Sequence, residues 1–186
     1  MITDVVREYV LKECGNSKNA FGAAFFDQHL LVVREYSGEL AKVLNADAEI
    51  VELAAYLHDL AAIQDFAALP RHPVAGAEIA RRVLEENGYP AERIDRVARC
   101  VMSHSSSVQM GAGLPEEVCL SNADAMSQIT KPIYWLYYVF RVRQFEFSEG
   151  LDWLRRRVES NWAALIRPAR DMIAKEYRRT KTLLES

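Results

Sequence analysis

The chain of 186 residues holds four histidines, His29, His58, His72 and His104, and each falls where a helical pattern turns its side chain away from water. A lone core histidine is ordinarily satisfied by a backbone carbonyl, and a buried imidazole without any partner is costly. Four together, with Asp59 directly after His58 and Asp124 in the apolar stretch after Leu120 and Ala123, ask for a shared partner. A divalent transition metal accounts for all six, because it accepts neutral imidazole nitrogens and ionised carboxylates together. The donors are nitrogen and oxygen without thiolate, which suits Fe, Mn, Co, Ni or Zn in a catalytic role and argues against structural zinc or Ca²⁺.

The adjacent pair His58-Asp59 carries the most information. Consecutive helical residues point about 100° apart, which is awkward for two ligands in mid-helix and workable where a helix ends. An aspartate has two oxygens and can bridge. His58 then holds one ion with His29 and Asp124, while His72 and His104 hold the second and Asp59 touches both. The expected cofactor is therefore two divalent ions.

The elements that must position these residues read as helices. Apolar residues recur at spacings of three and four, strand-like alternation is scarce, and glycine is limited to eight positions, so the fold class is all-α, a helical bundle. The pattern predicts helices at about 2–13, 28–45, 47–62, 73–87, 90–103, 115–130, 132–147 and 149–182. Pro73, Pro90 and Pro115 stand where a first turn tolerates a missing donor, Asn87-Gly88 supplies a left-handed stop, and Pro168 should kink or divide the last helix. In the second helix His29 opens the series Val33, Tyr36, Leu40, Val43, which directs it to the core. In the third, Ala54 and Ala61 leave room around His58, alongside Ile50, Leu53, Leu57 and Leu60. In the fifth, Ile94, Val97, Val101 and His104 place His104 at a core-facing C-terminal end. His72 precedes Pro73, which biases it out of the α region and makes it cap-like. Ser105 to Gly113 is turn-rich and reads as a loop bordering the site.

Composition bounds the remainder. The length and the apolar share of 50% fit one domain with a substantial core, spanning 1–186, with the ligands within about 25–130 and a helical extension over about 131–186. The longest apolar run, Pro132 to Phe140, is far short of the roughly 20 residues of a spanning helix, and Asp4, Arg7 and Glu8 stand where a signal peptide would be apolar, so a cytoplasmic enzyme without a membrane partner is expected. Cys14, Cys100 and Cys119 lack CxxC spacing and read as buried thiols. The net charge is −3, and the basic runs Arg155-Arg156-Arg157 and Arg178-Arg179 are interspersed with acids, so they read as a solvated helix face and nucleic acid is not an expected partner.

His29, the doublet His58-Asp59 and Asp124, in an all-helical chain, resemble the HD-domain metal-dependent phosphohydrolases. His72 in RHPVAGAEIA and His104 in VMSHSSS look like the extra ligands of the binuclear subclass, whose pattern runs H, HD, H, H, D. The resemblance covers about residues 25–130. It implies His29, His58, Asp59 and Asp124 at a first metal, Asp59, His72 and His104 at a second, and His58 and Asp59 in the catalytic role. The chain departs from known subclasses. LAAIQ follows His58-Asp59 without the glycine and lysine of the HD-GYP cyclic-dinucleotide phosphodiesterases, and the tripeptide Gly88-Tyr89-Pro90 lies at the wrong place for that motif. Ala125 stands where relatives often carry a basic residue beside the aspartate, and no synthetase domain of the stringent-response type accompanies the pattern.

The implied reaction is hydrolysis of a phosphate ester or anhydride by a metal-activated water. The expected partner is a small phosphorylated substrate such as a nucleotide, and a homodimer is open to the chain. Candidate substrate contacts are Arg71 beside His72, Arg34 on the His29 helix, Lys131 two turns after Asp124, and Ser105, which with Ser103 and Ser106 flanks His104. Tyr134, Trp135, Tyr137, Tyr138 and Phe140 read first as core or dimer-face packing, and otherwise as a surface on which a nucleobase stacks. Two rivals use the same ligands: an HD-fold di-iron oxygenase, and a metal-stabilised sensor without turnover.

Overall fold

A computed structural model describes residues 1–105 and 113–185, and among them no strand is present. The order is α1 (Ile2–Cys14), a π-helical turn (Phe26–Leu30) running into α2 (Leu31–Leu44), α3 (Ala48–Leu57), α4 (Leu60–Gln64), a 3₁₀ turn (Phe66–Arg71), α5 (His72–Glu86), α6 (Ala91–Ser103), α7 (Pro115–Thr130), α8 (Pro132–Tyr137), a second π-helical turn (Tyr138–Val142), α9 (Phe147–Ala164) and α10 (Arg167–Glu185). The loop expected at Ser105 to Gly113 falls, but for its two ends, outside the described residues, as does Ser106.

α7 is the axis of the bundle. It is buried on every side from Glu116 to Ile129, with α2, α3 and α6 packed on it from one half of the chain and α9 and α10 from the other. Its polar residues must therefore find partners inside the protein. α1 contributes Val6, Val10 and Cys14 to the core, a spacing of four that keeps one face inward. All three cysteines are buried, and desolvation pushes Cys14 and Cys119 up to about 12, so they are unreactive thiols.

The departures from the expected helices have local causes. The expected helix at 28–45 begins earlier, in a π turn that adds a residue and rotates the side chains after it. Val43, placed by periodicity on the core stripe, is 56% exposed, in the last turn of a helix that Asn45, left-handed at φ 53°, ends at Leu44. The expected helix at 47–62 breaks at Asp59 (φ −104°, ψ 6°) into α3 and α4. The expected helix at 132–147 ends at Val142, and Gln144, at φ 54°, reverses the chain toward α9. Leu165, extended at ψ 141°, divides the last helix just ahead of Pro168, and α10 is irregular again at Ile173. His72 is α-helical (φ −56°, ψ −28°), not the extended residue expected before Pro73, because its imidazole and the 3₁₀ turn before it already hold the first turn of α5 in place.

Candidate metal centre

Five elements deliver the six candidate ligands to one place. His29 comes from the first π turn, His58 and Asp59 from the break between α3 and α4, His72 from the start of α5, His104 from the end of α6, and Asp124 from the middle of α7. The break lets adjacent residues face one centre. Gly76 permits the packing behind it, since a Cβ there would lie 3.2 Å from the His58 carbonyl oxygen and 3.1 Å from Val101 Cγ1.

Asp59 presents one oxygen to each side. Its Oδ2 lies 3.3 Å from His29 Nε2 and 3.4 Å from His58 Nε2, while its Oδ1 lies 3.3 Å from His72 Nε2 and 3.7 Å from His104 Nε2. Two triads result, His29/His58/Asp59 and Asp59/His72/His104, each with its donor atoms within 4.8 Å of one another. Asp124 stands at the edge of the first, with Oδ1 3.4 Å from His29 Nε2.

Hydrogen-bond accounting fixes which ring nitrogens carry protons. His58, His72 and His104 each set Nδ1 against the carbonyl three residues earlier, Ala55 at 2.8 Å, Leu69 at 2.6 Å and Val101 at 2.6 Å. A carbonyl only accepts, so each Nδ1 is a donor and each neutral ring keeps its Nε2 lone pair free. His29 Nδ1 meets Ser127 Oγ at 2.8 Å, and that hydroxyl gives its own proton to the Asp124 carbonyl at 2.9 Å, so His29 is held in the same tautomer. The four Nε2 atoms then point at one another in pairs, His29 to His58 at 3.1 Å and His72 to His104 at 3.0 Å, around a carboxylate. Lone pairs converging at that distance repel unless a proton or a metal ion lies between them. The donor set therefore fits divalent metal.

Without an ion, a proton does part of that work. Burial pulls the His58 imidazole down, but the Asp59 charge and hydrogen bond outweigh it and push it up to about 9. Burial likewise works to raise the Asp59 carboxyl, and the charge of His58 with bonds from His104, His29 and His58 holds it well below the usual carboxylate range. His72 is lowered, chiefly by desolvation. The pocket stabilises one positive charge beside an ionised Asp59.

The centre opens into a cleft of about 290 Å³. Asp59, His72, His104 and Asp124 are at its floor, Phe21, Trp135, Tyr138 and Trp153 form an aromatic wall, and Arg143 and Arg157 stand at the side. Of the expected substrate contacts only Ser105 lines this cleft. Arg34 is turned to α3, where it pairs with Glu52 at 2.9 Å. Arg71 is exposed at the start of α5 and does not reach the cleft. Lys131 ends α7 in a non-helical conformation (φ −119°, ψ 53°), so the two-turn register that would set it over Asp124 is lost. The solvated face expected for Arg155-Arg156-Arg157 is corrected at Arg157, whose Nε bonds Gln128 at 2.7 Å. Trp135 and Tyr138 are more than packing: Trp135 sets its ring edge-on to His29, centroids 5.5 Å apart, and both line the cleft. Ser127 and Gln128 had a signal in the sequence, as polar residues three and four after Asp124, on the same face of its helix. Arg143 and Arg157 had none, since their approach depends on the turn at Gln144.

With that geometry in hand, the chain belongs to the HD-domain family: the HD domain model matches residues 26–129, more than half its length. Solved structures share the fold. Bacillus subtilis YpgQ, in complex with ADP, is similar with a TM-score of 0.69 at 16% identity, covering 95% of this chain and 90% of that one. A Lactobacillus plantarum protein is similar with a TM-score of 0.72 at 14% identity, covering 99% and 93%. A predicted HD superfamily hydrolase from an uncultured Thermotogales bacterium is similar with a TM-score of 0.59 at 19% identity, covering 92% and 91%. None of the helices among the described residues is long and apolar enough to cross a membrane.

Proposed function

We propose that this chain is a metal-dependent phosphohydrolase, acting on a small phosphate ester or anhydride through two divalent ions bridged by Asp59. The observation that carries the reading is the division of the Asp59 carboxylate between two imidazole pairs whose lone pairs are all directed inward. His29, His58, Asp59 and Asp124 would hold one ion and Asp59, His72 and His104 the other. Bound there, the ions would supply charge that polarises phosphoryl oxygens and acidifies a water toward neutrality. The chain's own residues then orient and shield. Arg143 and Arg157 stand beside the floor of the cleft and offset phosphate charge, and the aromatic wall of Trp135 and Tyr138 limits access of water from that side. A nucleotide suits this combination of arginines and rings, and the ADP bound by the similar Bacillus subtilis protein supports that class.

The test is a phosphate-release screen on protein reloaded with Mn²⁺, Co²⁺, Fe²⁺, Ni²⁺ or Zn²⁺, across nucleotides, cyclic dinucleotides and simple phosphoesters. Release that requires metal and disappears in Asp59→Ala is expected. Persistent release from that variant would sink the site, and oxygen uptake with Fe²⁺ in place of phosphate release would assign the oxygenase chemistry instead.

A further inference from the structure

Asp124 is held by a residue that is itself held from outside the segment matching the HD domain. Gln128, one turn further along α7, donates from Nε2 to Asp124 Oδ1 at 3.0 Å. A side-chain amide can present either end; the acceptor-only carboxylate asks for its NH₂, and α9 holds it that way round. Arg157 donates from Nε to Gln128 Oε1 at 2.7 Å, and Asn161 donates from Nδ2 to the same oxygen at 3.0 Å. Arg157 and Asn161 lie one turn apart on one face of α9. Arg157 offers donors only, so the Gln128 oxygen must face it and its NH₂ faces the carboxylate, while the Asn161 amide turns its own NH₂ to the same oxygen. Turning the amide over would set its NH₂ against the Arg157 N–H and its oxygen against the Asp124 carboxylate. Gln128 is 6% exposed and Asn161 3%, so water does not readily relieve that error.

We infer that Gln128 is a positioning residue through which α9, by way of Arg157 and Asn161, aims the Asp124 carboxylate at the ion held with His29. The C-terminal helix is then part of the metal centre. This rests on reading Asp124 as a metal ligand, and it adds a second role to Arg157, which also lines the cleft and under the proposed function would meet substrate. The two roles are separable, because a lysine at 157 still offers a donor to Gln128 Oε1 but lacks the planar fork that pairs with phosphate.

The experiment is Co²⁺ titration of the full chain, read by visible absorbance and calorimetry before any substrate is added. Gln128→Met, close in volume and without polar ends, is expected to weaken one ion about tenfold and leave the other unchanged. Arg157→Met should weaken the same ion less, since Asn161 still orients the amide, and should add nothing in the Gln128→Met background. Arg157→Lys should restore Co²⁺ affinity while KM for the phosphorylated substrate stays raised. Unchanged binding of both ions by folded Gln128→Met, or losses that multiply in the double variant, overturns the relay. If Gln128→Met does not fold, the exposed Arg157 pair decides: equal Co²⁺ affinity in Arg157→Met and Arg157→Lys overturns it. Weakened Co²⁺ binding without any phosphate release from the parent chain would leave the relay standing and the hydrolase reading fallen. A parent chain that binds no Co²⁺ overturns both.

Discussion

The Ser127 hydroxyl stands 2.8 Å from His29 Nδ1 and hands its own proton to the Asp124 carbonyl, so one serine joins the π turn before α2 to the centre of α7 and sets which nitrogen of His29 faces the cleft. Ser127→Ala leaves a buried N–H without an acceptor, which costs about 1–3 kcal/mol and favours the tautomer that cannot bind metal. Divalent-ion affinity should fall about tenfold, measured by calorimetry, with partial recovery in Ser127→Thr. Wild-type affinity in folded Ser127→Ala would show that Ser127 has no part in ligand orientation.

Metal should stabilise the fold, because a centre whose converging donors otherwise have only a proton to share sits at the meeting point of five elements. At one hundred times the dissociation constant, an ion that binds only the folded chain adds about 2.7 kcal/mol, or about 5–10 °C in Tm for a chain of this size. Thermal melts with and without chelator check this. An identical Tm in both, with binding independently demonstrated, would contradict it.

Gly76 should be intolerant of bulk. A Cβ there already meets the His58 carbonyl oxygen at 3.2 Å, and the two methyls of Gly76→Val would push α5 away from the break that carries His58 and Asp59. The expected destabilisation is about 1–3 kcal/mol by urea unfolding, accompanied by weakened metal binding. A variant as stable as the parent, with native metal affinity, would show that α5 can shift freely there.

A second charge cluster, away from the metal, sets the acid limb of stability. Asp47 caps α3 through the Glu49 and Ile50 backbone N–H groups and pairs with Arg93 and Arg96, while Glu116 of α7 bonds Arg96 and the Asp47 backbone. Burial acts to raise both carboxyls, and these donors outweigh it and hold Asp47 below 3.8 and Glu116 below 4.5. Folded values lower than unfolded ones mean that the contribution is complete above the ordinary values and is lost as pH falls through the depressed ones. Asp47→Asn keeps a capping oxygen and loses the charge. Its urea midpoint should lie below the parent's at pH 7, and the gap should close as pH falls below 3.8. A gap that is constant with pH would remove the ion pairs from the account.

The six candidate ligands that the structure brings together were legible from residue type and helical spacing, because histidine is scarce and a core imidazole or carboxylate needs a partner. His104 illustrates this: Ile94, Val97 and Val101 share its stripe, and all are buried with it. Arg34 shows the limit. Its place beside His29 on one helix said nothing about direction, and the neighbour that α2 met was Glu52 of α3.

By itself the sequence determined the all-helical class, the inward stripes and the six metal-seeking side chains, because periodicity reports which face of a helix is apolar. It could not determine which faces meet. The break at Asp59, the turn at Gln144 that brings Arg143 and Arg157 to the cleft, and the bonds of Arg157 and Asn161 to Gln128 depend on contacts between residues far apart along the chain. Those contacts form only when the helices pack, so the tertiary structure alone decided how Asp59 divides its oxygens and what holds Asp124.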